Sequence, residues 1–152
     1  MLLALDLGTK TGWATYDNNG IMKSGVVDFK AGKYENTNAR YFKFRTWLSS
    51  ISPTPTHIVY EAVRKHVATD AAHAYGAFMG NLITWCDEYV VPCNGADVGT
   101  IKKFWTGKGN SNKVAMIAEG HKRGFDNIKD DNEMDALALL HYWVEHGIFS
   151  LK

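Results

Sequence analysis

The chain has 152 residues, the size of one ordinary domain, so we expect a single domain over residues 1–152. Apolar residues make up 45% and charged residues 22%, which excludes an intrinsically disordered chain. The formal net charge of +1 argues against a protein that coats nucleic acid by bulk charge alone. Apolar runs such as Ala136 to Leu140 are far too short to span a bilayer. The opening Met1-Leu2-Leu3-Ala4-Leu5-Asp6 has no basic region and reaches a carboxylate at once, unlike a signal peptide. Cys86 and Cys93 make no disulfide framework, so a cytoplasmic protein with no membrane association is expected.

Leu2 to Leu7 reads as a buried strand, followed by the tight turn Gly8-Thr9-Lys10-Thr11-Gly12. Trp13 to Tyr16 reads as a second strand, Asp17-Asn18-Asn19-Gly20 as a hairpin turn, and Ile21 to Phe29 as a third strand. Asn38 is the expected cap of a helix over about Ala39 to Ser49, with Phe42, Phe44, Trp47 and Leu48 as its apolar contacts. His57 to Glu61 reads as a fourth strand that ends, like the first, on a carboxylate. Asp70 is expected to cap a long helix through about Glu88, and Tyr89 to Asn94 to form a fifth strand. The helix carries small residues (Ala71, Ala72, Ala74, Gly76, Ala77, Gly80), suited to a dimer surface or to tight packing on a sheet. A short helix then starts at Asp97 and ends near Trp105, and another spans Asn112 to Arg123. The last helix is capped by Asp130 or Asp131, runs to about His146, and stops at Gly147. Three antiparallel strands followed by parallel crossovers predict an α/β chain with a mixed five-stranded sheet and helices on both faces, the RNase H-like architecture.

Charge is segregated late in the chain. Val98 to Ala118 holds Lys102, Lys103, Lys108 and Lys113 and no acid, whereas Asp126 to Asp135 holds five acids against Lys129. Asp6 and Glu61 end two apolar strands, and if these are parallel neighbours their ends lie roughly 5 Å apart. Asp135 sits in the apolar run Met134 to Leu140, where an unpaired carboxylate is costly to bury. Asp131 lies four residues earlier, on the same helix face. Carboxylates that converge repel one another. A divalent cation cancels that repulsion, and all-oxygen donors select Mg²⁺, with Mn²⁺ as the natural substitute. Two such ions can activate water and stabilise the leaving oxygen of a phosphodiester.

Four segments together resemble the RuvC-type Holliday-junction resolvases over nearly the whole chain. They are Leu5-Asp6-Leu7-Gly8-Thr9-Lys10-Thr11-Gly12-Trp13-Ala14, Tyr60-Glu61-Ala62-Val63, Val98 to Lys103 with Thr106 to Lys113, and Asp131 to Leu139. The resemblance implies a metal-dependent endonuclease for four-way or branched DNA, acting as a homodimer. It assigns metal binding to Asp6, Glu61 and Asp135, with Lys102 and Lys113 near the scissile phosphate. Where many members carry Asp or His three residues before the last Asp, this chain has Asn132. The fourth ligand is therefore Asp131, Asn132 or water, with charge favouring Asp131. Where some members place an aromatic three residues after the glutamate, this chain has Arg64, whose guanidinium can stack on a base or hold phosphate. Arg64, Lys65, Lys103 and Lys108 are read as DNA contacts, and Arg40, Lys43 and Arg45 as solvent-facing. The alternative function is a non-catalytic module that binds branched DNA.

Other readings fit less well. The Gly-rich turn also resembles the first phosphate loop of actin-like ATPases and sugar kinases, but those need two lobes and a second such loop. The exonuclease branch of the same architecture carries Asp-x-Glu on its first strand, where this chain has Asp6 and Gly8. The six histidines lack zinc-site spacing, and only His66 falls near the predicted catalytic edge.

Overall fold

The computed structural model describes residues 1–146. The element order is β1 (Leu2–Asp6), β2 (Lys10–Tyr16), β3 (Met22–Asp28), α1 (Ala39–Ser50), β4 (His57–Ala62), α2 (Thr69–Tyr89), β5 (Cys93–Asp97), α3 (Val98–Thr106), α4 (Lys113–Lys122) and α5 (Asp131–Glu145). The five strands form one sheet in the order β3-β2-β1-β4-β5. β1 pairs antiparallel with β2, and β2 with β3, whereas β1–β4 and β4–β5 are parallel. This is the mixed, RNase H-like sheet expected from the sequence. No described helix is long and apolar enough to cross a membrane.

Alternation along the central strands divides the core in two. Leu3 and Leu5 of β1 pack with Phe44 and Leu48 of α1 and Phe78, Leu82 and Trp85 of α2. Leu2 and Ala4 turn the other way, to Met134, Leu137 and Leu140 of α5 and to Ile101 and Trp105 of α3. Successive side chains of a strand point to opposite faces, so Asp6 falls on the α5 face with Leu2 and Ala4. In β4, Ile58 lies in the α1–α2 core and Val59 in the α5 core, which puts Glu61 on the α5 face as well. The parallel register pairs Leu5 with Tyr60, making Asp6 and Glu61 side-by-side neighbours.

α5 comes close to the sheet because the residues beneath it are small. Asp6 is opposite Gly12, and Ala4 is opposite Ala14. A Cβ on Gly12 would lie 1.9 Å from the carbonyl oxygen of Asn132 and 2.2 Å from its carbon. That contact is backbone against backbone, so no side chain can move to relieve it. The helix start is tied down on both flanks. The Asp130 carboxylate accepts from the Asn132 and Glu133 amides, Lys10 Nζ is 3.3 Å from Asp130, and Ser24 donates to Glu133 at 2.7 Å.

Several boundaries differ from expectation. α2 begins at Thr69 after Ala68, so Asp70 lies in its first turn and is not its cap. It buries Tyr75, Phe78, Leu82, Trp85 and Cys86, while Gly76 and Gly80 are exposed with nothing within 4 Å of an added Cβ. The small residues therefore do not mark a tight sheet contact. α2 continues through Tyr89 and ends with Val90 in the left-handed region, which displaces the expected fifth strand to Cys93–Asp97. Asn38 and Asp97 precede their helices without capping them through a side chain, whereas Asn112 accepts from the Ala115 amide. Phe42 is exposed and not an α1 core contact, because it lies off the face carrying Phe44 and Leu48. Cys93 is half-buried, in contrast to the fully buried Cys86. The expected stop at Gly147 lies outside the described residues.

The seam yields a paired prediction. Gly12→Ala is expected to cost about 1–3 kcal/mol, because α5 must retreat from β2. Gly76→Ala, on an exposed helix face, is expected to be neutral or to stabilise by up to about 1 kcal/mol. Urea denaturation midpoints check both, and equal effects at the two sites would contradict the close-approach argument.

Candidate active site

The C-terminal ends of β1 and β4 and the first turns of α5 meet above the sheet. Ligand oxygens of Asp6, Glu61 and Asp135 lie within 4.8 Å of one another. Ligands about 2.1 Å from one Mg²⁺ are about 3 Å apart when adjacent and about 4.2 Å when opposite, so this spacing suits a shared cation. Glu61 is buried, and Asp6 and Asp135 are half-buried.

Electrostatics show what such a cluster costs. Burial, reinforced by the charges of Glu61 and Asp135, pushes the Asp6 carboxyl well above its ordinary value. The Asp135 carboxyl rises to about 7, first through burial and then through Glu61 and Asp131. Burial also raises Glu61, although its hydrogen bond with Asp6 and the charge of Lys102 oppose the rise. The three groups thus favour protons over mutual repulsion. The same repulsion would favour a divalent cation, and the all-oxygen donor set fits one.

The remaining sequence-predicted residues separate into distinct settings. Asp131 is paired with Lys113 at 2.9 Å and lies outside the three-carboxylate group, though its charge acts on Asp6 and Asp135. The Asn132 backbone supplies the contact on Gly12. Lys102 is half-buried and close enough to draw the Glu61 and Asp135 carboxyls downward. Lys103 and Lys108 are exposed, as are Arg64 and Lys65, and Arg64 makes a 3.4 Å ion pair with Asp97.

The two lysine-bearing helices are braced against each other. The Trp105 indole donates to the Met116 carbonyl at 3.0 Å, and the Arg123 guanidinium lies 4.1 Å from the Trp105 ring. Between the helices, Gly107 takes a φ of +88°, which closes α3 and turns the chain toward Lys113. Thr106 and Ser111 hydroxyls are in close contact across this loop, and Ser111 also donates to the Lys108 carbonyl.

Two residues to which the sequence assigns no functional role belong to this region. Tyr75 of α2 donates to the Glu61 carbonyl at 2.8 Å and accepts from the Val63 amide at 3.1 Å, fixing the backbone that carries Glu61. In sequence it is one more apolar contact spaced with Phe78 and Leu82; only the need of a buried hydroxyl for partners could have marked it. Arg40 departs from the solvent-facing position expected of it. It is half-buried, and its Nη1 donates to Thr9 in the turn after Asp6. Lys43 and Arg45 make ion pairs with Glu35 and Glu88.

No family model and no curated protein matches the chain. Solved structures do. A Thermus thermophilus RuvC structure aligns at a TM-score of 0.69 and 18% identity, covering 96% of each chain. T. thermophilus RuvC in complex with a Holliday junction substrate aligns at 0.71 and 17%, covering 96% of this chain and 95% of that one. The fold, over nearly all of both chains, is that of RuvC.

The carboxylate cluster generates a pH prediction. The Asp135 carboxyl sits at about 7 in the folded chain and near 4 when unfolded. Between those values the folded state holds more protons, so stability falls as pH rises through this window. Without divalent metal, the melting temperature is expected to be lower at pH 8 than at pH 5. Mg²⁺ should raise it more at pH 8, where the carboxylates are ionised. Asp135→Asn should weaken the pH dependence and abolish the Mg²⁺ response. A metal-independent melting profile at pH 8 would argue against a cation site.

A second prediction concerns Tyr75. Tyr75→Phe leaves the Val63 amide and Glu61 carbonyl without their partner and should cost about 1–3 kcal/mol. The Mg²⁺ concentration for half-maximal thermal stabilisation should rise as well. A loss of stability with unchanged Mg²⁺ dependence would reduce Tyr75 to a core residue.

Proposed function

We propose that this chain is a divalent-metal-dependent endonuclease that cleaves four-way or branched DNA as a two-fold homodimer. The observation that carries the proposal is the convergence of Asp6, Glu61 and Asp135 on a fold shared with RuvC. One of those RuvC structures is described as bound to a Holliday junction substrate, which supports branched DNA as the substrate here.

Asp6, Glu61 and Asp135 would hold Mg²⁺, or Mn²⁺ in its place, with Asp131, Asn132 or water completing the set. The bound metal would supply an activated water and charge stabilisation at the phosphodiester. Lys113 is held beside the carboxylates by Asp131, and Lys102 is within their electrostatic reach. Ammonium groups there oppose the charge that builds on the transferring phosphate. Lys103 and Lys108 are exposed on the same basic segment, and Arg64 and Lys65 on the loop after β4, which suits them to grip the flanking strands. Two symmetric cuts require two active sites, hence the dimer. The exposed face of α2 around Gly76, Gly80 and Ile83 is the candidate contact.

Cleavage of a four-way junction in Mg²⁺ tests the proposal. Asp6→Asn and Asp135→Asn are each expected to lower the single-turnover rate by about 10³-fold or more while junction binding persists. Lys113→Ala should lower the rate at saturating DNA by about 10- to 100-fold. Lys108→Ala should mainly weaken binding and reduce its salt dependence. A wild-type chain that binds the junction but never cuts it would instead be a non-catalytic binding module.

A further inference from the structure

Beside the carboxylates, on the α1–α2 side of the sheet edge, lies a cavity of about 530 Å³. Leu7, Gly8 and Thr9 form one wall, directly after Asp6, and Val63 and His66 another, just after Glu61. Arg40 reaches in from α1, and Asp70, Ala71 and Tyr75 come from the first turns of α2. The volume is in the range of ligand sites, not of packing defects.

Two features give the cavity a chemical preference. Arg40 Nε and His66 Nε2 are shielded from solvent and lack a hydrogen-bond partner. A shielded polar group left unpaired is unfavourable, so these nitrogens are poorly served by the protein alone. Arg40 also uses only Nη1 in a side-chain hydrogen bond, to Thr9. Among the described residues, no carboxylate forms an ion pair with it. Its guanidinium also lies 5.0 Å from the Tyr41 ring. A guanidinium with free donors beside an imidazole suits an anionic oxygen acceptor. The Asp70 carboxylate on the rim acts against an anion and tempers its affinity.

We propose that this cavity binds a backbone phosphate of the DNA strand next to the phosphate being cut, with Arg40 and His66 as its ligands. The inference rests on the nuclease reading above. The carboxylates lie at the C-terminal ends of neighbouring parallel strands, and the cavity begins one residue beyond Asp6 and two beyond Glu61. A strand crossing that edge passes from one to the other over the Leu7–Thr9 turn. Arg40 would thereby set the register of the strand over the metal ligands, while Thr9 holds its guanidinium in place.

The test is anisotropy titration of a four-way junction in Ca²⁺ at several salt concentrations, for the full chain and two variants. Arg40→Gln should weaken binding about 5- to 20-fold and lower the slope of log affinity against log salt by about one. Asp70→Asn should tighten binding, because it removes a like charge. Replacing one phosphate at a time with neutral methylphosphonate should reveal a non-scissile position where the wild type loses affinity and Arg40→Gln loses no more. If the wild type binds the junction and Arg40→Gln matches it in affinity and slope, the phosphate site is overturned and the nuclease reading stands. If the wild type binds no branched DNA, both fall. Should Arg40→Gln melt too low to assay, the other two measurements decide. An unchanged Asp70→Asn affinity with no methylphosphonate-sensitive position beside the cut also overturns the site.

Discussion

The structure depends on how closely α5 can approach the sheet. The carbonyl of Asn132 rests where a side chain on Gly12 would be, and Ala4 and Ala14 continue the low floor beneath the helix. Because Gly12 is opposite Asp6, the contact that admits the helix also brings Asp135 to Asp6. Packing and site geometry are thus one constraint. The close fit buries apolar surface through Met134, Leu137 and Leu140, and it forces carboxylates from separate parts of the chain together.

That second consequence works against the fold. Three acids gathered in a half-buried space are stable only if protonated, paired or bound to a cation. The raised Asp6, Glu61 and Asp135 carboxyls are the signature of the first option. The nearby cations do not remove the repulsion. Lys113 pairs with Asp131 at the edge of the cluster, and Lys102 acts only at a distance. The hydrophobic cores on both faces of the sheet hold the acids in place, a division between scaffold and strained site common at catalytic centres.

Much of this was legible in the chain. Strand alternation, the Asp17 to Gly20 turn and the crossovers after β3 specify the sheet, because each is a short-range signal with one geometric outcome. Asp6, Glu61 and Asp135 stand out because each is a carboxylate in an apolar context. Boundaries were less legible. The α2–β5 junction shifted by several residues because Tyr89 packs on Trp85 as the helix continues, at 4.7 Å between ring centroids, and Val90 takes the left-handed turn that Gly would normally supply. Asp70 looked like a cap, but Ala68 holds that position and no side chain caps the helix.

The sequence by itself determined the fold class, the order of strands and helices along the chain, and the three carboxylates that the fold brings together. These follow from periodicity and from the cost of placing charge among apolar residues. It could not determine that Tyr75 braces the strand carrying Glu61, that Asp131 faces Lys113, or that Arg40 turns inward to Thr9. Each is a contact between residues 12 to 31 positions apart in the chain, or between neighbouring helices, whose partners are chosen by where packed elements come to rest. A tyrosine on a buried helix face and an arginine on a half-exposed one have the same local pattern whether or not they serve a site. Only the tertiary arrangement decides which polar atoms meet, because hydrogen bonds and ion pairs depend on ångström-scale positions that residue spacing does not encode.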